Sequence, residues 1–212
     1  MFSTFLFSAL GGYLLGSIPF GLILCYLCGY GDIRKIGSGN IGATNVLRTG
    51  NKFLALLTIL FDAGKAGVAA WLAGYIVPPQ EIMFCGIMSN SSNIAALIAG
   101  TAAIIGHNFP IWLKFKGGKG VASSFGFILV INPWIACCAF MTWLAFAVAF
   151  RYSSLSAIAA AVFTPIYAYF LTGQIEAAFF TAIAILVVVR HRANISRLIN
   201  GTESKISFKK KA

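Results

Sequence analysis

Long apolar runs separated by short polar stretches set the pattern of this chain. Phe2 to Leu27, Phe53 to Val77, Ile82 to Ile105, Val121 to Ile131, Trp134 to Phe150, Leu155 to Leu171 and Ala177 to Val189 are apolar almost throughout. Uninterrupted runs of about 20 residues predict helices that cross a bilayer. Pro19 is expected to kink the first of them. Ser89-Asn90-Ser91-Ser92-Asn93 interrupts the third and moves its start toward Ile94. Val121 to Ile131 covers only about half a bilayer at ~1.5 Å per residue, and Asn132-Pro133 separates it from the next run.

Composition then fixes the solvent. With 59% hydrophobic and 10% charged residues, and a mean hydropathy of +0.86, the chain predicts an all-α integral membrane protein and excludes a soluble domain. The net charge of +11 would suggest nucleic acid in a soluble chain, but here basic inner loops account for it and no nucleic-acid partner is expected. If the chain crosses seven times with its N-terminus outside, all of the 16 Lys and Arg residues except Lys65 fall in inner loops. The outer turns then hold only Glu81 and Glu176. Reading Val121 to Phe150 as one broken span would export the Arg190-His191-Arg192 and Lys209 to Lys211 clusters, against the positive-inside rule. The expectation is a seven-transmembrane-helix bundle with its C-terminus in the cytoplasm and one short or broken helix near 121–131. A single domain spans 1–212, and 198–212 form a basic cytoplasmic tail. The N-terminal run has no charged leader region or clear cleavage site, so it reads as a retained helix. Five cysteines, with one lone Cys25-x-x-Cys28 pair inside an apolar run, read as packing rather than as a disulfide framework or metal site.

On this topology four polar stretches meet at the cytoplasmic face: Gly37 to Arg48 (GSGNIGATNVLR), Gly106 to Gly120 (GHNFPIWLKFKGGKG), the Arg151-Tyr152-Ser153-Ser154 turn and the segment from Arg190. Basic inner loops alone do not explain Ser38, Asn40, Thr44, Asn45 and Asn194, nor the glycines beside the cations. Glycines let backbone N–H groups close around an anion, and the cations balance its charge. Gly37-x-Gly39-x-x-Gly42 matches a dinucleotide fingerprint by chance, because no βαβ pattern surrounds it. Gly117-Gly118-Lys119-Gly120 lacks the Ser or Thr of a P-loop. His107 reads as either a helix-end hydrogen bonder or a chemical group. His191 and Asn194 share a helical face, with Arg197 near the same stripe. Neither histidine has an acid five residues on, so the His-x4-Asp arrangement of the commoner glycerolipid acyltransferases is absent. Asp62 and Lys65 read as an intramembrane ion pair that positions the second helix, or as substrate contacts. An organic-phosphate transporter would also want broken helices and cationic glycine loops, but its site would sit near the midplane between inverted repeats.

GSGNIGATNVLR, GHNFPIWLKFKGGKGVA, RYSSLSA and HRANISRLINGTE, in this order and with Asp62-x-x-Lys65-x-Gly67 in the second run, resemble the bacterial acyl-phosphate:glycerol-3-phosphate acyltransferases over nearly the whole chain. The resemblance implies a seven-helix inner-membrane enzyme with its active site facing the cytoplasm. It would transfer a fatty acyl group from acyl phosphate to the 1-hydroxyl of glycerol 3-phosphate, giving lysophosphatidic acid and phosphate, the first step of phospholipid synthesis. No metal, nucleotide or coenzyme A is implied. Acyl phosphate would come from a separate enzyme acting on acyl carrier protein, and membrane lipid would surround the bundle. Carried onto this chain, the family roles make Ser38, Lys119 and His191 the catalytic residues. Gly39, Asn40, Thr44, Asn45, Arg48, Gly117, Gly118, Ser153, Ser154 and Asn194 would bind substrate. Ser38, Lys119 and the Gly117-Gly118 backbone would hold the donor and leaving phosphate, and Arg48, His191 and Asn194 the phosphate of glycerol 3-phosphate. The general base is either a substrate phosphate or His191, and either Ser153 or Ser154 faces the site.

Overall fold

The computed structural model describes residues 1–206, so Lys209 to Lys211 lie outside the described residues. The helices are α1 (Phe2–Gly16), α2 (Phe20–Leu27), α3 (Ala43–Val46), α4 (Lys52–Ile76), α5 (Ser91–Asn108), α6 (Val121–Ile131), α7 (Pro133–Phe150), α8 (Ser153–Leu171), α9 (Gln174–Arg190) and α10 (Arg192–Ile199). Among the described residues, five spans are long and apolar enough to cross a membrane, with α1 and α2 counted as one. The α9–α10 pair, bent by 59°, makes a sixth, and α6 is a shorter apolar helix of 11 residues. Phe7, Phe53, Tyr75, Trp134 and Phe170 point outward, as side chains facing lipid do.

Local chemistry sets the boundaries. Asn51 caps α4 by accepting from the Leu54 amide at 3.0 Å, and Asn90 caps α5 through Ser92 at 3.0 Å. Asn132 accepts from both Trp134 and Ile135, with Pro133 in the first turn of α7 where its missing N–H costs nothing. Pro19 separates α1 from α2, as the sequence predicts.

One stretch departs from the all-helical expectation. Residues expected to begin the third span instead form an antiparallel hairpin, β1 (Glu81–Phe84) with β2 (Ile87–Asn90), and α5 starts at Ser91. Cys85 and Gly86 both take positive φ at its tip, the geometry of a tight hairpin turn. Ser91 locks the base of the hairpin, donating from its hydroxyl to the Pro78 carbonyl at 2.7 Å and accepting from the Gln80 amide at 2.9 Å. Cys25, read as packing, is buried, whereas Cys28, Cys85 and Cys137 are exposed.

The chain divides into two compact units, residues 1–131 and 132–206 of those described. In the first, α1 and α5 meet along a seam of small residues. A methyl at Gly12 would strike the Ala99 backbone, one at Gly16 the Ala103 backbone, and one at Gly106 the Tyr13 carbonyl. Such contacts bring backbones together where no hydrophobic force acts between helices in lipid. The Tyr13 hydroxyl closes the seam by donating to the Phe109 carbonyl at 2.8 Å. Gly126 of α6 presses on Ala63 of α4 in the same way. In the second unit α7, α8 and α9 pack in sequence order.

Candidate active site

The first polar loop is built around Asn45, which is 1% exposed. Its amide nitrogen donates to the Ile33 carbonyl at 2.7 Å, and its oxygen accepts from the Ser38 amide at 3.1 Å and the Ser38 hydroxyl at 3.4 Å. Asn45 therefore holds the loop and aims Ser38, which is exposed. Gly37 takes φ +55°, and a side chain there would meet both Asn45 and the Arg48 guanidinium, which lies along the glycine. Arg48 and Thr44 are exposed, whereas the Asn40 side-chain oxygen is buried with no hydrogen-bond partner among the described residues. Asp32 anchors the loop's entry by accepting from Arg34 at 2.7 Å. The Arg34 hydrogen bond holds its carboxyl at about 2, below the usual range.

The second loop is tied back onto the end of α5. The Gly118 amide donates to the His107 carbonyl at 3.0 Å and the Gly117 amide to the Asn108 carbonyl at 3.2 Å. The His107 ring lies against the Cα of Gly118, leaving no room for a methyl. Lys119 follows, half-buried, and α6 begins two residues later with the amide ends of its first turn turned toward this loop. Near it the Asn108 amide and the Ser123 and Ser124 hydroxyls are buried with no hydrogen-bond partner among the described residues. The two loops share one apolar footing, since Leu113 packs on a cluster that contains Ile33, Ile41 and Val46.

The remaining expected residues lie in the second unit. His191 is not on one straight helix with Asn194, as the spacing suggested, but at the bend between α9 and α10. Its Nδ1 stands 2.8 Å from the Val187 carbonyl. A carbonyl only accepts, so Nδ1 carries a proton; in a neutral imidazole Nε2 then carries the lone pair.

Asn194, Arg197 and Ser154 converge on Glu203, a residue to which sequence reasoning gave no role. The Ser154 hydroxyl donates to Oε1 at 2.7 Å, the Asn194 amide to Oε1 at 2.6 Å and Arg197 Nε to Oε2 at 2.6 Å. Gly201, at φ +67°, turns the chain back after α10 so that the carboxylate can return. The chain after α10 folds back toward the start of α8: the Ile206 amide donates to the Arg151 carbonyl at 2.7 Å, and Lys205 lies over the Tyr152 ring. Burial alone would push the Glu203 carboxyl up. The hydrogen bonds from Ser154, Asn194 and Arg197, with the Arg197 charge, hold it below the usual range. Ser153 opens α8 half-buried, while Ser154 is committed to Glu203. The signal in the sequence was that Glu203 is the only acid after Glu176 in a strongly basic segment.

These features define a polytopic helical membrane protein with glycine-rich, cationic loops at helix ends of its first unit and a polar cluster on Glu203 in its second. A family model described as glycerol-3-phosphate acyltransferase matches residues 6–201. A glycerol-3-phosphate acyltransferase of Rhodospirillum rubrum is 52% identical over 96% of this chain and 92% of its own length. That of Mesorhizobium japonicum is 52% identical over 93% of this chain and 94% of its own. The crystal structure of PlsY (YgiH), an integral membrane glycerol 3-phosphate acyltransferase, in its glycerol 3-phosphate form superposes with a TM-score of 0.84 at 34% identity, covering 96% of each chain. Its lysophosphatidic acid form gives 0.82 at 33%. The chain belongs to the glycerol-3-phosphate acyltransferase family and is an enzyme of that family, which excludes the transporter alternative.

Proposed function

We propose that this enzyme transfers a fatty acyl group from acyl phosphate to the 1-hydroxyl of glycerol 3-phosphate, releasing lysophosphatidic acid and inorganic phosphate. The observation that carries the reading is the half-buried Lys119 on a loop whose Gly117 and Gly118 amides are anchored to the end of α5. Such a loop presents a fixed cation to a phosphate. The likeness to a structure described as holding glycerol 3-phosphate supports the acceptor.

The acceptor oxygen attacks the acyl carbonyl carbon, the carbon–oxygen bond to phosphate breaks, and phosphate departs with the bonding pair. Acyl phosphate is already activated, so positioning and charge stabilisation carry much of the rate. In this reading Ser38 and Lys119 hold the donor phosphate, with Gly39, Asn40 and Thr44 completing that wall; the Gly117 and Gly118 amides, expected to bind it, are spent on the α5 carbonyls and set the loop that carries Lys119. Asn45 acts by aiming Ser38. Arg48, His191 and Asn194 hold the phosphate of glycerol 3-phosphate, and Ser153, at the start of α8, meets substrate while Ser154 braces Glu203. The hydroxyl proton passes to a substrate phosphate or to His191 Nε2.

The whole chain forms one catalytic domain in the bacterial inner membrane with its site toward the cytoplasm. It crosses seven times from an outer N-terminus, with α6 as the short fourth crossing, because that count keeps the basic clusters on one side. The donor comes from an enzyme that makes acyl phosphate from acyl carrier protein. Purified protein mixed with acyl phosphate and labelled glycerol 3-phosphate should yield labelled lysophosphatidic acid and one phosphate per product; no product would refute the reading.

A further inference from the structure

Deep in the first unit lies an ion pair that the reaction as drawn does not use. Lys65 Nζ stands 3.0 Å from the Asp62 carboxylate, and both side chains are almost fully buried. Charges in such surroundings are costly unless they are paired and given a task. Each partner reaches a different element. Asp62 faces His107 Nδ1 at 3.6 Å, and the other edge of that imidazole rests against Gly118. Lys65 donates to the Ile18 carbonyl at 2.8 Å and lies 5.9 Å from the centre of the Phe20 ring, at the break between α1 and α2. From that break α2 presses on the first loop: a methyl at Gly21 would strike the Ile41 carbonyl, and Leu22 and Cys25 pack with Ile33, Ile41 and Val46.

We propose that Asp62 and Lys65 are positioning residues that set both glycine-rich loops from one buried point. Asp62 acts through His107 on Gly117 to Lys119, and Lys65 acts through the Ile18–Phe20 break and α2 on Gly37 to Arg48. A Lys–Asp pair suits this task because each charge has one partner to spare for a neighbouring element. An apolar pair of the same volume would pack as well but would hold neither the imidazole nor the open carbonyl at Ile18.

The kinetic consequence rests on the acyl-transfer reading, so the decisive measurement is amide hydrogen exchange without substrate. The variant Asp62→Leu/Lys65→Met removes both charges and keeps the packing volume. It is expected to melt near the wild-type temperature while amides in 37–48 and in 116–120 each exchange about tenfold faster or more, α5 and α6 remaining unchanged. Wild-type exchange in either loop, or faster exchange everywhere, overturns the proposal. If that variant does not fold, His107→Gln decides: exchange should rise in 116–120 and not in 37–48, and any other pattern overturns it. In assay, the double variant should lose about tenfold or more in kcat with a smaller change in KM, as misplacement of reacting groups predicts. An inactive wild-type protein would instead refute the acyl-transfer reading and leave the exchange result standing.

Discussion

Asn194 and Ser154 donate to the same oxygen of Glu203, at 2.6 and 2.7 Å, while Arg197 takes the other oxygen. One carboxylate thus joins the start of α8, the length of α10 and the returning chain. Glu203→Gln keeps the shape but removes the charge from three hydrogen bonds. It should cost about 1–3 kcal/mol of stability, read as a lower melting temperature in detergent. Arg197→Ala should cost less, because its side chain is 42% exposed.

Acid should reveal the same contact. Glu203 and Asp32 both have carboxyls held below their ordinary values, Asp32 at about 2. Groups lowered in the folded state contribute stability above their unfolded pKa, and this is lost as pH falls through the folded value. Wild-type melting temperature should therefore decline from about pH 4 downward. The gap between wild type and Glu203→Gln should close over the same interval. A gap that widens in acid would contradict the assignment.

Lys119→Ala and Arg48→Ala should each reduce turnover about a hundredfold or more, the scale for losing a charge stabiliser at a reacting centre. A folded Lys119→Ala protein with wild-type activity would remove it from the leaving-phosphate site.

His191 keeps Nδ1 on the Val187 carbonyl, so a base role would fall to Nε2 of the neutral ring. If it is the base, His191→Gln should abolish the acidic limb of the pH–rate profile, which falls near pH 6–7 for an ordinary imidazole. An unchanged profile assigns the proton to a substrate phosphate.

The proposed seven crossings would put the hairpin tip outside and the end of α2 inside. Both carry an exposed cysteine, Cys85 and Cys28. A membrane-impermeant thiol reagent should modify Cys85 in cells whose outer barrier is opened, and Cys28 only after the inner membrane is permeabilised. The reverse pattern would invert the topology.

Most of the helices were legible because lipid demands long apolar runs and because Pro19 and Asn132-Pro133 break them. The hairpin was not: Ile82, Met83, Phe84, Ile87 and Met88 are as apolar as a helix, and only the backbone at Cys85-Gly86 reveals the turn. Within the site, residue types and spacing pointed to the loops, but not to what each side chain does inside them. Asn45 was expected to meet substrate and instead braces Ser38, since an amide's partners depend on loop geometry that no spacing rule encodes. Glu203 was passed over because its partners Ser154, Asn194 and Arg197 all precede the turn that only Gly201 announces.

The seam between α1 and α5 also orders the making of the protein. Tyr13 and Phe109, which close it, stand 96 residues apart. A chain emerging from the ribosome delivers α1 long before Ala99, Ala103 and Gly106 exist to receive it. The first helix must therefore wait in the bilayer with its glycine face against lipid, and the first unit can assemble only once the fifth helix arrives.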